Sequence, residues 1–279
     1  MEVFDTPDGL RAWSRAHRAA GRRVGLVPTM GALHDGHLAL VDRAREDADV
    51  VALSIFVNPL QFNRSDDFTS YPRPLDDDLA LCRARRVDAV YAPLAATMYP
   101  DGFQTRVVPG ALAEVLEGAQ RPGHFEGVTT AVAKLFHAAE PDVAVFGQKD
   151  FQQLAIIRRM VADLDMGVTI VPMPIVREAD GLAMSSRNRR LSAAQRAAAA
   201  CVPRSLDAVA AAYDAGVRDV ATLVAAGRRV VDAEPLARFE HLEIVDGATL
   251  RGDPTAGPGC VAVTAVWFGD VRLIDNRLL

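Results

Sequence analysis

Cysteine is scarce in this chain: Cys82, Cys201 and Cys260 are the only three in 279 residues, and no two form a Cys-x-x-Cys pair. So sparse and odd a set argues against a disulfide framework and a cysteine zinc site, and it fits a reducing compartment. Long apolar runs are missing too; none approaches the about 20 residues that a membrane-spanning helix needs. The opening MEVFDTPDGLRAW has no basic segment followed by an apolar stretch, so it does not read as a secretory signal. These absences set the expectation of a soluble, cytoplasmic protein with no membrane partner. Basic charge is not in excess: 31 Lys+Arg stand against 36 Asp+Glu, a net charge of −5. A broad basic face is therefore not expected, and no nucleic acid is expected as partner, although a local cationic cluster can still hold a phosphorylated small molecule. Two common nucleotide signatures are also absent. There is neither Gly-x-x-x-x-Gly-Lys-Ser/Thr nor a Gly-x-Gly-x-x-Gly after a strand.

What is present is an ordinary globular composition, 50% apolar and 24% charged, with enough length for one large or two modest domains. Thr6-Pro7 opens a helix with a capping hydroxyl and a proline at the first helical position, and Gly21 ends it. Arg23–Thr29 reads as a buried strand, followed by a helix from about Gly36 to Ala48. Val50–Val57 is a second apolar, β-branched run, as expected of a strand covered on both faces. A helix from Asp76, the strands DAVYAPL, PDVAVFG and VTIVPMPIV, and helices over Val128–Ala139 and Asp150–Leu164 continue the alternation. Such alternation predicts a doubly wound parallel α/β sheet with ligands at the carboxyl ends of its strands, placed at residues 1–175. After Val176 helices come first, opened by a capping box from Ser192 to Gln195 and then by Val220–Asp232. Consecutive strands follow in FEHLEIVD, CVAVTAVWFG and VRLID, so residues 176–279 predict a smaller α+β domain.

The sharpest chemical signal is the first strand-to-helix junction, Pro28-Thr29-Met30-Gly31-Ala32-Leu33-His34-Asp35-Gly36-His37. Glycine lets backbone approach a ligand, and a helix N-terminus offers unpaired N–H groups and a field suited to phosphate. Histidines at i and i+3 present their rings on one side of the first turn. They are then placed to donate hydrogen bonds to phosphate oxygens as pyrophosphate departs. No cysteine or His-Glu-x-x-His partner supports zinc at this pair. This His-x-Gly-His arrangement resembles the signature of nucleotidyl transferases.

The junction PTMGALHDGH resembles the first motif of the pantothenate synthetases, and further segments match that family in order: IFVNPLQF (Ile55–Phe62), RPGHFEGV (Arg121–Val128), FGQKDFQQL (Phe146–Leu154), MSSRN (Met184–Asn188) and RLIDN (Arg272–Asn276). Together they cover nearly the whole chain. The resemblance implies a Rossmann-like fold of the His-x-Gly-His nucleotidyl transferase type, with residues 1–175 binding nucleotide and pantoate and residues 176–279 forming a lid. It implies an ATP- and Mg²⁺-dependent enzyme that joins pantoate to β-alanine through a pantoyl-adenylate, working as a homodimer. Two alternatives stand beside it: a non-catalytic nucleotide-binding relative and another small-molecule adenylyltransferase.

Residue by residue, the resemblance implies ATP contacts from Met30, Gly31, Ala32, Leu33, His34, Asp35, Gly36 and His37, from Gly147, Gln148, Lys149 and Asp150, from Val176, and from Met184, Ser185, Ser186 and Arg187. It puts His34, His37, Lys149 and Arg187 on the developing phosphate charge, with His37 as candidate proton donor. Gln61, Gln153, Asn58 and Arg121 are implied to bind substrate, Gln61 both pantoate and β-alanine and Gln153 pantoate. Chemistry agrees with these assignments: an amide both donates and accepts, as a hydroxy acid requires, and arginine's planar fork pairs with phosphate oxygens. Each segment also has a plainer reading. Asn58-Pro59 is an ordinary turn, Lys149 an ordinary solvated lysine, and Met184–Arg187 an ordinary surface loop. Asp76–Asp78 is in the same position, as the acidic first turn that a helix dipole favours. The functional reading makes Asp77 or Asp78 an indirect, water-mediated neighbour of Mg²⁺.

Overall fold

The computed structural model describes residues 1–63 and 65–279, which fall into two compact units: Met1–Gln148 with Gln152–Pro174, and Lys149–Phe151 with Ile175–Leu279. The strands are β1 (Glu2–Phe4), β2 (Val24–Thr29), β3 (Val50–Ile55), β4 (Ala89–Tyr91), β5 (Val143–Gly147), β6 (Thr169–Met173), β7 (Arg238–Asp246), β8 (Cys260–Phe268) and β9 (Val271–Leu278). The first eight α-helices are α1 (Pro7–Ala19), α2 (Asp35–Asp47), α3 (Ser65–Ser70), α4 (Leu75–Ala84), α5 (Ala95–Met98), α6 (Leu116–Gln120), α7 (His124–Ala139) and α8 (Phe151–Asp163). Three more follow: α9 (Ala193–Ala198), α10 (Cys201–Asp214) and α11 (Val220–Asp232).

In the first unit six parallel strands lie in the order β1-β4-β3-β2-β5-β6. Successive residues of a strand face opposite sides of the sheet, and both sides here are apolar. Val24, Leu26, Ala52, Ala144 and Phe146 meet α1, α7 and α8 on one face. Val27, Val51, Leu53, Val143 and Val145 meet α2 and α4 on the other. Strand order reverses between β2 and β5, the switch point where doubly wound sheets bind ligands at the strands' carboxyl ends. Thr6 caps α1 by accepting the Gly9 N–H at 3.3 Å, in keeping with the Thr-Pro signal. The edge strand β1 has no counterpart in the sequence reading, because three residues are too few to show an alternation. Helix α7 begins at His124, earlier than the Val128 expected, and 13 of its 16 residues are buried.

The second unit is an antiparallel sheet, β7-β8-β9, packed under α10 and α11. The Ser192–Gln195 capping box forms as expected. The alanine-rich run is nevertheless two helices, α9 and α10, broken at Ala199–Ala200. Pro203 accounts for the break: it lacks an N–H, and its ring collides with the carbonyl four residues earlier in a continuing helix. No helix among the described residues is long and apolar enough to cross a membrane.

Candidate active site

Beyond Thr29 the backbone makes a left-handed double step, with φ of +83° at Gly31 and +50° at Ala32. Glycine is required at the first step, since a Cβ on Gly31 would lie 2.8 Å from Asp78 Oδ2 and 2.9 Å from Ile55 Cγ2. An alanine in the left-handed region costs about 1–2 kcal/mol. Asp78 offsets that cost: Oδ2 accepts the Ala32 N–H at 2.8 Å and Oδ1 accepts the Leu33 N–H at 2.7 Å, with the residue only 1% exposed. Hydrogen bonds to a charged group contribute about 1.5–3 kcal/mol each, the same order as the strain. Thr29 Oγ1 accepts the Gly31 N–H at 3.1 Å and donates to the Ser54 carbonyl at 2.6 Å.

The loop delivers His34 in extended backbone as the N-cap of α2, where its Nδ1 accepts the Gly36 N–H at 3.1 Å. A neutral imidazole that accepts at Nδ1 carries its proton at Nε2, so His34 has its donor at Nε2. One turn on, the His37 ring lies 4.1 Å from that of His34, centroid to centroid. The two rings do share one side of the helix start, in agreement with their spacing.

Gln61 closes a 3-10 turn over Pro59–Gln61 that Asn58 caps. Asn58, 2% exposed, accepts from Leu60 N at 3.2 Å and from the Tyr99 hydroxyl at 2.8 Å through Oδ1. Its Nδ2 donates to the Gly127 carbonyl at 2.9 Å and to Gln61 Oε1 at 3.0 Å. The Gln61 amide then reaches Met30 Sδ at 3.2 Å, joining the second motif to the first. Its backbone carbonyl accepts from Arg121 Nη2 at 3.2 Å and from His124 Nδ1 at 2.8 Å, while Arg121 Nη1 meets His124 Nε2 at 3.3 Å. Guanidinium can only donate, so His124 is neutral with its proton at Nδ1. A Cβ on Gly127 would lie 2.4 Å from the Leu60 carbonyl oxygen, so only glycine lets α7 come this close to the turn. Tyr99 and Gly127 are members of this cluster that sequence reasoning missed. Tyr99 falls outside every recognised motif, and burial pushes its hydroxyl pKa up.

Gln152 and Gln153 divide sharply. Gln152 is 5% exposed and holds the α6 segment by donating to the Leu112 and Val115 carbonyls, both at 2.8 Å, and accepting from Glu117 N at 2.9 Å. Gln153 is half-buried, and its side chain makes no hydrogen bond among the described residues. Of the two aspartates expected near magnesium, Asp78 is buried and anchors the Ala32–Leu33 loop, and Asp77 is exposed on the first turn of α4. No group of three or more His, Cys, Asp or Glu side chains among the described residues could hold a metal ion.

The second unit carries Lys149, Asp150, Val176 and Met184–Arg187; Gly147 and Gln148 belong to the first. Lys149 Nζ lies 3.9 Å from Asp150 Oδ2, with the lysine side chain 18% exposed. Residues 176–184 fold back on themselves: Met184 N donates to the Val176 carbonyl at 2.9 Å, and Glu178 N to the Leu182 carbonyl at 2.8 Å. Ser185 caps the 3-10 turn Ser186–Arg190 by accepting the Arg187 N–H at 3.2 Å. Asn188 fastens that turn, donating to Glu178 Oε1 at 2.7 Å and to the Ala183 carbonyl at 3.1 Å.

A parallel doubly wound sheet with paired histidines at a strand-to-helix junction beside its switch point marks a Rossmann-like α/β enzyme. The family model for pantoate-beta-alanine ligase matches residues 2–278, and the chain belongs to that family. It is 49% identical to the pantothenate synthetase of Geotalea daltonii, over 100% of this chain and 99% of that one. It is 50% identical to the pantothenate synthetase of Heliobacterium modesticaldum, with the same coverage. Among solved structures, pantothenate synthetase from Thermus thermophilus superposes with a TM-score of 0.94 at 45% identity, over 100% of this chain and 99% of that one. The pantoate-beta-alanine ligase of Francisella tularensis, complexed with beta-gamma ATP and beta-alanine, gives 0.81 at 31% identity, over 100% and 97%.

Proposed function

We propose that this chain condenses pantoate with β-alanine at the expense of ATP, through a pantoyl-adenylate, releasing AMP and pyrophosphate. The observation that carries the reading is the His34–His37 pair at the start of α2, on a chain whose family match spans residues 2–278. A pantoate carboxylate oxygen attacks the α-phosphorus of ATP, and the bond to the bridging oxygen breaks as pyrophosphate leaves. The β-alanine amine then attacks the acyl carbon, AMP departs with the carboxylate oxygen, and the amine proton passes to solvent. An oxide ion is a very poor leaving group, and adenylation replaces it with a good one.

Such a reaction needs alignment and charge stabilisation more than covalent help. His34 donates from Nε2 to phosphate oxygens, and His37 donates beside it, with proton transfer to the departing pyrophosphate as its candidate role. Lys149 and Arg187 are assigned by resemblance to developing phosphate charge, Arg187 through its planar fork. By resemblance, ATP contacts are assigned to Met30–His37 and Gly147–Gln148 in the first unit and to Lys149, Asp150, Val176 and Met184–Ser186 in the second. Gln61, Gln153, Asn58 and Arg121 bind substrate, Asn58 and Arg121 also hydrogen-bonding to Gln61. Magnesium would enter as the counter-ion of ATP and supply charge neutralisation, with Asp77 or Asp78 as its candidate indirect neighbour. Residues 1–175 serve nucleotide and pantoate, and residues 176–279 supply the lid. Homodimer formation and a cytoplasmic setting follow from the family resemblance; light scattering reads the first.

Pantoate-dependent exchange of pyrophosphate into ATP, without β-alanine, tests the reading. Exchange supports it. Folded protein that binds ATP and pantoate without exchanging is a silent nucleotide-binding relative.

A further inference from the structure

The C-terminal strand β9 carries two adjacent polar residues, Asp275 and Asn276, each only 2% exposed. A strand closing a small core needs apolar side chains there, and β9 supplies them at Val271 and Leu273. Burying a carboxylate and an amide costs stability unless each finds partners, so what they hold explains their presence. Consecutive strand residues face opposite sides, and β9 pairs regularly with β8 here, Asp275 against Thr264 and Asn276 against Val263. One dipeptide therefore reaches two different segments.

Asn276 Nδ2 donates to the backbone carbonyl of Lys149 at 3.0 Å, across 127 residues of sequence. Asp275 takes both arms of the Arg177 guanidinium, Nη1 at 2.7 Å and Nη2 at 3.0 Å, and Oδ1 also accepts the Asn276 N–H at 2.8 Å. Arg177 Nη1 donates in addition to the Gly181 carbonyl at 2.9 Å, and Arg177 pairs with Ala183 in an antiparallel bridge. The Val176–Met184 hairpin, which leads into Ser185-Ser186-Arg187, thus hangs on Asp275, while the backbone of Lys149 hangs on Asn276.

We infer that Asp275 and Asn276 are positioning residues for adenylation: one buried dipeptide sets where both phosphate-directed cations, Lys149 and Arg187, start from the backbone. The inference rests on the assignment of those two cations proposed above. A lysine side chain is long and rotatable, so its reach is only as well defined as its main chain. A misplacement of about 1 Å costs up to about 10²-fold in rate.

The test is a pair of double-mutant cycles read by pantoate-dependent pyrophosphate exchange. Asn276→Ala should lower kcat by about 10–100-fold with the pantoate KM changed less than about twofold. In a Lys149→Ala background the same substitution should cost less than about twofold more, because its effect passes through a side chain already gone. Asp275→Asn should behave likewise against Arg187→Ala. Asn276→Ser, too short to reach the Lys149 carbonyl, replaces any Asn276→Ala protein that fails to fold. Full, additive losses in the Lys149→Ala and Arg187→Ala backgrounds overturn the inference and leave the dipeptide a general stabiliser. So does a kcat within about twofold of wild type in folded Asn276→Ala protein. Failure of the underlying reading looks different: wild-type protein then shows no exchange, or Lys149→Ala exchanges at the wild-type rate, and the inference falls with it.

Discussion

The Asp78 carboxylate accepts the backbone N–H of Leu33 at 2.7 Å, reaching from the first turn of α4 to a loop 45 residues earlier in sequence. With its second oxygen on Ala32, it fixes the strained turn that delivers His34 to the start of α2. Asp78→Ala would leave two buried N–H groups without that acceptor, at about 1–3 kcal/mol each. The expected outcome is a lowered unfolding midpoint together with a loss of pyrophosphate exchange. Asp78→Asn, which keeps one acceptor oxygen, should fall between. An Asp78→Ala protein with wild-type exchange would show that the histidines need no such anchor.

The paired histidines carry the largest expected effect on rate. Replacing either His34 or His37 with alanine should reduce exchange by about 10²–10³-fold, as for other preorganised donors, with the fold intact. Circular dichroism and exchange on the same samples check both halves.

Adjacent glutamines in α8 should separate cleanly. Gln152→Ala removes three hydrogen bonds to the α6 segment and should destabilise the protein by about 1–3 kcal/mol, measured by urea denaturation. Gln153→Ala should leave the midpoint alone and raise the pantoate KM. Reversed results would exchange the two roles.

Much of this was legible in the sequence, and the rest was hidden for physical reasons. Alternating apolar runs and helix-start signals disclosed the doubly wound sheet, since both faces of β2, β3 and β5 must be apolar. The histidine pair was legible because its spacing alone puts both rings on one turn. Asp78 was ambiguous: an acidic helix start looks the same whether its side chain meets water, a metal or a buried loop. Tyr99 and Asp275 lie far in sequence from the segments they hold, at separations of 41 and 98 residues, and no local pattern announces such a contact. Gly127 was visible only as a letter inside a motif, because its reason is the nearby Leu60 carbonyl.

That close approach gives a further prediction. Gly127→Ala forces the Pro59–Gln61 turn away from α7, at a cost of about 1–3 kcal/mol for overpacking. The turn carries Gln61, so the pantoate KM should rise more than the ATP KM. Equal changes in both would mean that the turn does not select pantoate.

Acid should weaken the second unit through Glu240. Arg272 donates to both its carboxylate oxygens, at 2.7 and 2.8 Å, and this pairing holds its pKa below the usual carboxylate range. A depressed folded-state pKa means that the stabilisation is complete above the unfolded value, about 4.3, and is lost as pH falls through the folded value. The stability difference between wild type and Glu240→Gln should therefore be constant near neutrality and shrink below about pH 4.3. Chemical denaturation at stepped pH reads this, and a difference that grows with acid would contradict the assignment.

The most direct test of the adenylate route uses pantoate labelled with ¹⁸O in its carboxylate, incubated with ATP, Mg²⁺ and β-alanine. Attack on the α-phosphorus predicts that the AMP released carries one ¹⁸O, which mass spectrometry detects. Unlabelled AMP, or ADP with the label in inorganic phosphate, would contradict it and point to activation by another route.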